Sequence, residues 1–265
     1  MLIQVGPIAV LTFTTTAGAA LKVVESGAYV KPTLGGAIAN AHPVPTTASV
    51  LTEGAVLTAR INPPPEYLTI AINSQNGPIS TSHASNVGAP TPIWGDNGPG
   101  TFPSGGAAAF IVPTGWAGNV AISDALRDGA RPVPWADSSL IEASFVIPDG
   151  YGMAVADIDV SYVNGFSGAI TCACSGVVVA GCNLRLWDMN ACPDDKNGVC
   201  VNPLRADTTA TAAPPFFAPC QGAAYTFPND NEANSWAQCQ SGEITCCVGE
   251  DCPPNPKQPP NSRGG

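Results

Sequence analysis

Two carboxylates set the chemical question. Glu142 lies in residues 140–147 (LIEASFVI) and Asp159 in residues 157–163 (DIDVSYV), two stretches in which apolar side chains alternate. In the first, Ile141, Ala143, Phe145 and Ile147 share one face of a strand. Glu142 and Ser144 take the other, because successive side chains point to opposite sides of a sheet. In the second, Ile158, Val160 and Tyr162 form the apolar face, while Asp157, Asp159 and Ser161 point away. Residues 148–152 (PDGYG) between them have turn composition. If the two strands pair, Glu142 and one of the aspartates line one cleft. Glycoside hydrolysis needs such a pair, one carboxyl protonated as acid and the other ionised as nucleophile or base. Glu142 is the candidate acid and one of the two aspartates, Asp157 or Asp159, its partner. The competing reading is that an acidic side chain on the outer face of a strand is simply solvated.

Composition narrows the compartment and the partners. The chain has 265 residues, enough for one large domain or two smaller ones. Its ten cysteines (Cys172, Cys174, Cys182, Cys192, Cys200, Cys220, Cys239, Cys246, Cys247 and Cys252) all fall within one short stretch. An even count so placed reads as a disulfide framework in an oxidising compartment, hence a secreted protein. Zinc is disfavoured: no Cys-x2-Cys pairs recur, and the only histidines, His42 and His83, lie far upstream. Twenty acids against ten bases exclude nucleic acid as a natural partner, since phosphate needs clustered Lys and Arg. There is no Gly-x-Ser-x-Gly elbow, P-loop or dinucleotide fingerprint, and two distant histidines argue against a Ser-His-Asp triad. Asp194 and Asp195 beside Asn197-Gly198 lack the EF-hand spacing and read as a solvated turn, so neither a metal nor a cofactor is expected. Trp94, Trp116, Trp135, Trp187 and Trp236 read mainly as core or disulfide-packing residues.

In chain order, residues 1–20 are apolar and end in small residues, like the h-region and cleavage site of a signal peptide without its basic start. Gly6, Pro7 and four threonines break the run, so it is a poor membrane span. Residues 21–66 read as a propeptide or disordered arm, with Arg60 as a processing candidate. From Tyr67 onward the texture is short strands and frequent turns: residues 68–73, 107–112 and 119–123 are strands, and residues 115–118 (GWAG) a turn. Residues 67–171, with part of the C-terminal segment, therefore read as a mainly β sandwich or barrel. Residues 172–252 are a disulfide-rich region too poor in apolar side chains to hold itself without cross-links. Residues 253–265 (PPNPKQPPNSRGG) are Pro-rich and read as a disordered tail without the hydrophobic end of a lipid-anchor signal.

Four motifs carry a resemblance. Residues 140–145 (LIEASF) resemble the Leu-Ala-Glu-Phe strand of the thaumatin-like proteins. Residues 158–166 (IDVSYVNGF) are similar to that family's Tyr-Asp-Val-Ser-Leu-Val-Asp-Gly-Phe signature. Residues 188–193 (DMNACP) are similar to its Asp-Ile-Asn-Gly-Gln-Cys-Pro segment with one residue fewer. Residues 216–230 (FFAPCQGAAYTFPND) are similar to its Phe-Phe…Cys-Pro-x-Ala-Tyr-Ser-Tyr…Asp run. The four occur in the family's order across the second half of the folded region.

The resemblance implies a thaumatin-like (osmotin-like) β-sandwich with a small disulfide-rich loop domain and an acidic cleft between them. It matches Glu142 to the family's cleft Glu, Asp159 to its first Asp and Asp230 to its last. Asn164 stands where the middle Asp would be, and Asp157 lies beside the set. The cleft Arg has no counterpart, because residues 119–123 occupy its place; Arg127 or Arg131 is the candidate substitute. The cysteine-dense loop before the Phe-Phe motif is replaced by residues 202–215. By analogy the implied bridges are Cys182–Cys220, Cys192–Cys200, and Cys172 or Cys174 to Cys239, with Cys246, Cys247 and Cys252 unassigned. Members of the family bind β-1,3-glucan and some hydrolyse it slowly. The expectation is thus a secreted, monomeric protein that binds cell-wall polysaccharide with weak or no hydrolysis. Tyr162, Trp187 and Tyr225 are candidate sugar platforms. An endo-β-1,3-glucanase is the first alternative. A defence or antimicrobial protein is the second, weakened by the net charge of −10. The neutral Asn164 weakens hydrolysis more than binding, because it removes a negative charge that would raise a neighbouring carboxyl's pKa.

Overall fold

The computed structural model describes residues 9–14, 20–25, 66–94, 100–124 and 136–260. The chain divides into two units, Met1–Asn62 and Pro63–Gly265. In the first, β1 (Ala9–Thr14) pairs antiparallel with β2 (Ala20–Glu25). The remainder of the leader and arm expected over residues 1–66, with Arg60, lies outside the described residues, except for Glu66.

In the second unit the strands are β3 (Tyr67–Ser74), β4 (Ile79–Ser85), β5 (Ile93–Trp94), β6 (Thr101–Phe102), β7 (Ala107–Pro113), β8 (Trp116–Asp124), β9 (Ser139–Val146), β10 (Val155–Ser161), β11 (Gly165–Phe166), β12 (Ile170–Cys174), β13 (Val177–Cys182), β14 (Asp195–Lys196), β15 (Val199–Val201) and β16 (Glu243–Val248). Among the described residues helix is confined to one α-turn, Leu186–Met189, and two 3₁₀ turns, Ala218–Cys220 and Asn231–Ala233. The protein is mainly β. None of its described helices is long and apolar enough to cross a membrane.

Two large sheets share one core. The five-stranded sheet runs β10-β9-β8-β4-β6 and the six-stranded one β13-β12-β16-β3-β7-β5. The alternating apolar residues meet between them: Leu68, Ile70 and Ile72 of β3, Phe110 of β7, Ile141 and Phe145 of β9, Ile158 and Val160 of β10, and Ile170 and Ile244 are all buried in one cluster. Phe110 of one sheet and Trp116 of the other meet edge to face with ring centroids 6.1 Å apart. At Gly181 of β13, φ is +96° and an added Cβ would lie 2.2 Å from the Ile170 carbonyl and 2.9 Å from Val160, so only glycine allows the layers to close there. The expected turn over residues 115–118 is shorter than read: only Thr114 and Gly115 turn, and Trp116 already opens β8.

The disulfide-rich stretch does not begin where the sandwich ends. A boundary at Cys172 falls inside β12, and β12, β13 and β16 are three of the six strands of the larger sheet. Cys172 and Cys246 face each other in register on neighbouring strands and are bridged, with Cα atoms 4.0 Å apart. Cys174–Cys239, Cys182–Cys220, Cys192–Cys200 and Cys247–Cys252 complete five bridges, and no cysteine is free. Of the two candidates for Cys239, Cys174 takes it. β16 enters the sheet beside β3 in parallel, after roughly the whole length of the unit has intervened. That long-range pairing is what no local period can announce.

The same core continues under the loops. Tyr162 and Phe166 pack edge to face at 5.0 Å, Phe166 meets Phe216 at 5.9 Å, and Phe216 meets both Phe217 (5.0 Å) and Trp187 (5.2 Å). Asn202, fully buried, ties it to the sandwich: its Nδ2 donates to the carbonyls of Tyr162 (3.0 Å) and Thr226 (2.7 Å). Beyond Cys252 the Pro-rich segment read as disordered is packed as far as Pro260, with Asn255 and Gln258 buried. Prolines restrict the unbound chain, so ordering this segment costs little entropy, and two buried polar anchors suffice. Residues 261–265 lie outside the described residues.

Candidate functional site

The register of the five-stranded sheet places the acidic residues. β9 and β10 pair antiparallel with Glu142 directly opposite Asp159 and Ser144 opposite Asp157. On the other side β8 sets Asn119 opposite Glu142. Because side chains alternate, Asn119, Glu142 and Asp159 form one row on the face turned away from Ile141, Ile158 and Val160. Cβ atoms so opposed lie about 5 Å apart, which brings the two carboxylates within reach of a common ligand.

That face is far less open than an outer face of a sheet usually is. Glu142 is half-buried, while Asp157 and Asp159 are 5% and 6% exposed. The reason is that β10 is an edge strand, and residues 221–240 cover its edge. The Tyr162 N–H donates to the Tyr225 carbonyl at 2.7 Å and the Tyr225 N–H to the Val160 carbonyl at 2.9 Å. Farther along, Ser235 Oγ donates to the Ile158 carbonyl and the Ala237 N–H to the Ala156 carbonyl at 3.3 Å. The Ser235 N–H reaches the Asp159 carboxylate itself, donating to Oδ1 at 3.0 Å. Asp159 is therefore held in a fixed orientation by a backbone donor.

Asp230 belongs to the same covering segment, and its bonds go to its own loop. Its carboxylate accepts from Thr226 Oγ1 (2.7 Å), the Thr226 N–H (3.2 Å) and the Gly222 N–H (3.2 Å), and the residue is 2% exposed. Burial pushes its carboxyl above the usual carboxylate range, against the pull of those donors. This arrangement closes the 222–230 loop. Asn164 is half-buried in the connection after β10, and its carbonyl accepts the Asn202 N–H at 3.2 Å. Arg127 and Arg131 lie outside the described residues.

The aromatic candidates divide. Tyr162 is fully buried on the core side of β10; its hydroxyl donates to the Cys182 carbonyl (2.9 Å) and accepts the Ile170 N–H (3.0 Å), and burial pushes the phenol well above its ordinary range. It has no surface to offer a sugar, as its parity with Ile158 and Val160 requires. Tyr225 is 9% exposed and accepts from Asn234 Nδ2 at 3.0 Å, and Trp187 packs on Phe216. A different pair is half-exposed beside the row: Trp236, next to Ser235, meets Tyr151 edge to face at 6.2 Å.

Other candidates resolve into structure. Asp195 Oδ1 accepts the Gly198 N–H at 2.8 Å, and Asp194 pairs with Lys196 at 3.5 Å; β14 and β15 form a hairpin whose turn is Asn197-Gly198. Among the described residues no group of three or more His, Cys, Asp or Glu side chains is placed to hold a metal ion. His83 lies on the core side of β4 with its ring 4.9 Å from Phe110, and burial lowers its pKa to about 4.

Three contributors were not legible in the sequence. Ser235 and Asn202 act through backbone contacts and leave no motif. Lys257 stands in the Pro-rich tail, yet its Nζ donates to the Glu232 carbonyl, and Asp159, Glu232 and Asp230 all act on its charge. The chain matches no protein-family model and no curated protein.

Proposed function

We propose that this is a secreted carbohydrate-binding protein of thaumatin-like type that takes cell-wall β-1,3-glucan along the Glu142–Asp159 row, with weak or no hydrolysis. The observation that carries the reading is the register that sets Glu142 opposite Asp159 on one face. Carboxylates accept two sugar hydroxyls each, and the half-exposed Trp236–Tyr151 pair supplies ring faces beside them. Five disulfides are compatible with an extracellular protein.

The same geometry favours binding over turnover. In a retaining mechanism the two carboxyl groups stand about 5 Å apart, which an opposed cross-strand pair satisfies. The nucleophile must then reach the anomeric carbon. Asp159 is 6% exposed and already accepts the Ser235 N–H, so it is fixed as an acceptor and poorly placed to attack. Glu142, half-buried, is the more accessible of the two.

The test is retention on insoluble β-1,3-glucan together with reducing-sugar release, for the wild type and Glu142→Ala side by side. Binding without release, lost in the variant, supports a lectin-like role. Release that vanishes in the variant makes the protein an endo-glucanase with Glu142 as its acid. No retention by the wild type removes the glucan reading.

A further inference from the structure

Asn119 places a buried amide in the acidic row. It stands on β8 between Ala84 of β4 and Glu142 of β9, and Asp159 of β10 follows Glu142, so the four residues form one line across the sheet. Trp116, Val120 and Ile122 of the same strand belong to the core. By parity Asn119 points to the opposite face, with its Cβ about 5 Å from those of its two neighbours. The residue is 1% exposed, and neither its Oδ1 nor its Nδ2 has a hydrogen-bond partner among the described residues. An amide buried in this way works against folding, because both atoms lose water and gain nothing in return. Such groups are rare in folded proteins, and this one calls for a role other than stability. Asp159, in the same line, is by contrast already engaged by the Ser235 N–H.

We propose that Asn119 is a specificity-determining residue of the row, whose amide takes a neighbouring pair of hydroxyls on a neutral sugar, Nδ2 donating to one oxygen and Oδ1 accepting from the other. This rests on the carbohydrate reading of the row and not on the linkage of the glucan. A primary amide presents a donor and an acceptor side by side, and two sugar hydroxyls return one of each. An ammonium would satisfy Oδ1 alone. A carboxylate would satisfy Nδ2 alone, and would do so against the charge of Glu142. The neutral polyol is therefore the ligand class that pairs both atoms. A ligand without the hydroxyls is rejected, since the buried amide then stays unpaired. Ala84 and Glu142 are half-buried, so the amide lies just beneath the accessible surface. A ligand reaches it as the Glu142 side chain turns aside, a rotamer change of the kind common on binding.

Two measurements on the full chain test this. The first sets urea unfolding without ligand beside retention on insoluble β-1,3-glucan. Asn119→Leu keeps the branching without the polar atoms. It raises the urea midpoint by roughly 0.5 M and weakens retention about tenfold. The smaller Asn119→Ala, which cannot overpack, weakens retention equally. Ser123→Ala removes a buried hydroxyl on the same face of β8 but opposite Ser80, outside the row, and leaves retention unchanged. The second measurement follows the Asn119 side-chain amide resonance by NMR, assigned by its loss in Asn119→Leu, as soluble β-1,3- and β-1,4-linked gluco-oligosaccharides are added in parallel. The β-1,3-linked sugar shifts it. A urea midpoint lowered by more than roughly 0.5 M in both Asn119 variants overturns the proposal, because the amide then serves the fold. So does undiminished retention in both variants, an equal loss in Ser123→Ala, or an amide resonance that neither sugar moves. If the wild type is not retained on β-1,3-glucan while the β-1,4-linked sugar moves the resonance, the glucan reading falls and the role of Asn119 stands.

Discussion

Replacing Asp230 by Ala tests whether this carboxylate serves the fold or a ligand. In the native loop it accepts from Thr226 Oγ1, the Thr226 N–H and the Gly222 N–H, and it is 2% exposed. A hydrogen bond to an uncharged acceptor contributes about 0.5–1.5 kcal/mol, and each buried donor left without a partner costs about 1–3 kcal/mol. These terms overlap, and the neighbouring Asn229 and Asn231 are only half-buried, so water can reach part of the opened loop. The expected loss is about 3–5 kcal/mol. Asp230→Asn should cost about 2–3 kcal/mol, because its amide keeps one acceptor but sets a second donor against the Thr226 and Gly222 donors. The pH dependence has a definite sign. The folded carboxyl titrates above its unfolded value, so its contribution is fully present below the unfolded pKa and is lost as pH rises through the folded one. The penalty of the Ala variant is therefore largest near pH 4 and shrinks toward neutrality. Urea unfolding of the disulfide-intact protein at several pH values measures this. A loss below about 1 kcal/mol at every pH would refute the reasoning, because it would show a solvated carboxylate available to a ligand.

Further expectations concern the core and the bridges. Tyr162→Phe removes a hydroxyl that satisfies the Cys182 carbonyl and the Ile170 N–H; it should cost about 1–2 kcal/mol in urea unfolding and leave glucan retention unchanged, since the ring is buried. Cys172–Cys246 encloses Cys174–Cys239, so with the inner bridge intact it closes a loop of only about ten residues, and loop-closure entropy predicts a cost of about 2.7 kcal/mol for its removal. Removing Cys247–Cys252, separated by 5 residues, costs about 2 kcal/mol; a loss above about 4 kcal/mol from the first paired Ala variant would contradict this. His83 titrates at about 4 in the fold, below its unfolded value, so the stability it contributes is present above about pH 6.5 and is lost as pH falls toward 4. The loss is about 2–3 kcal/mol, and His83→Gln should flatten that limb of the stability profile. Gly181→Ala forces a Cβ to 2.2 Å from the Ile170 carbonyl at a φ of +96°, and should lower soluble yield and cost more than about 3 kcal/mol in unfolding.

The amino-acid order alone specified the local half of this molecule. Alternation at residues 68–73, 140–147 and 157–163 marked the strands and the core face of each, because side-chain direction in a strand depends only on parity; Ile147, read with the core face, lies beyond the end of β9 and is exposed. The alternation therefore also marked Glu142 and Asp159 as the opposite face. The same parity placed Tyr162 with Ile158 and Val160, which is why a ligand-binding role for its ring conflicts with the fold. The even number of clustered cysteines announced cross-linking, since an unpaired thiol is costly to keep in an oxidising compartment.

Only the tertiary structure decided what those faces meet. That Glu142 opposes Asp159 rather than Asp157 is a matter of register, fixed by a turn and a core that act on the whole pair at once. That the acidic face is covered follows from residues 221–240 closing the edge of β10, an interaction between segments some 70 residues apart. That β12 and β16 join the sandwich, and that Lys257 reaches the Glu232 carbonyl from a segment whose composition reads as disordered, also depends on contacts distant in sequence. Periodicity reports the direction a side chain takes from its own backbone. What waits on the other side is set by burial and hydrogen-bond satisfaction summed over the folded chain, and those sums have no local signature.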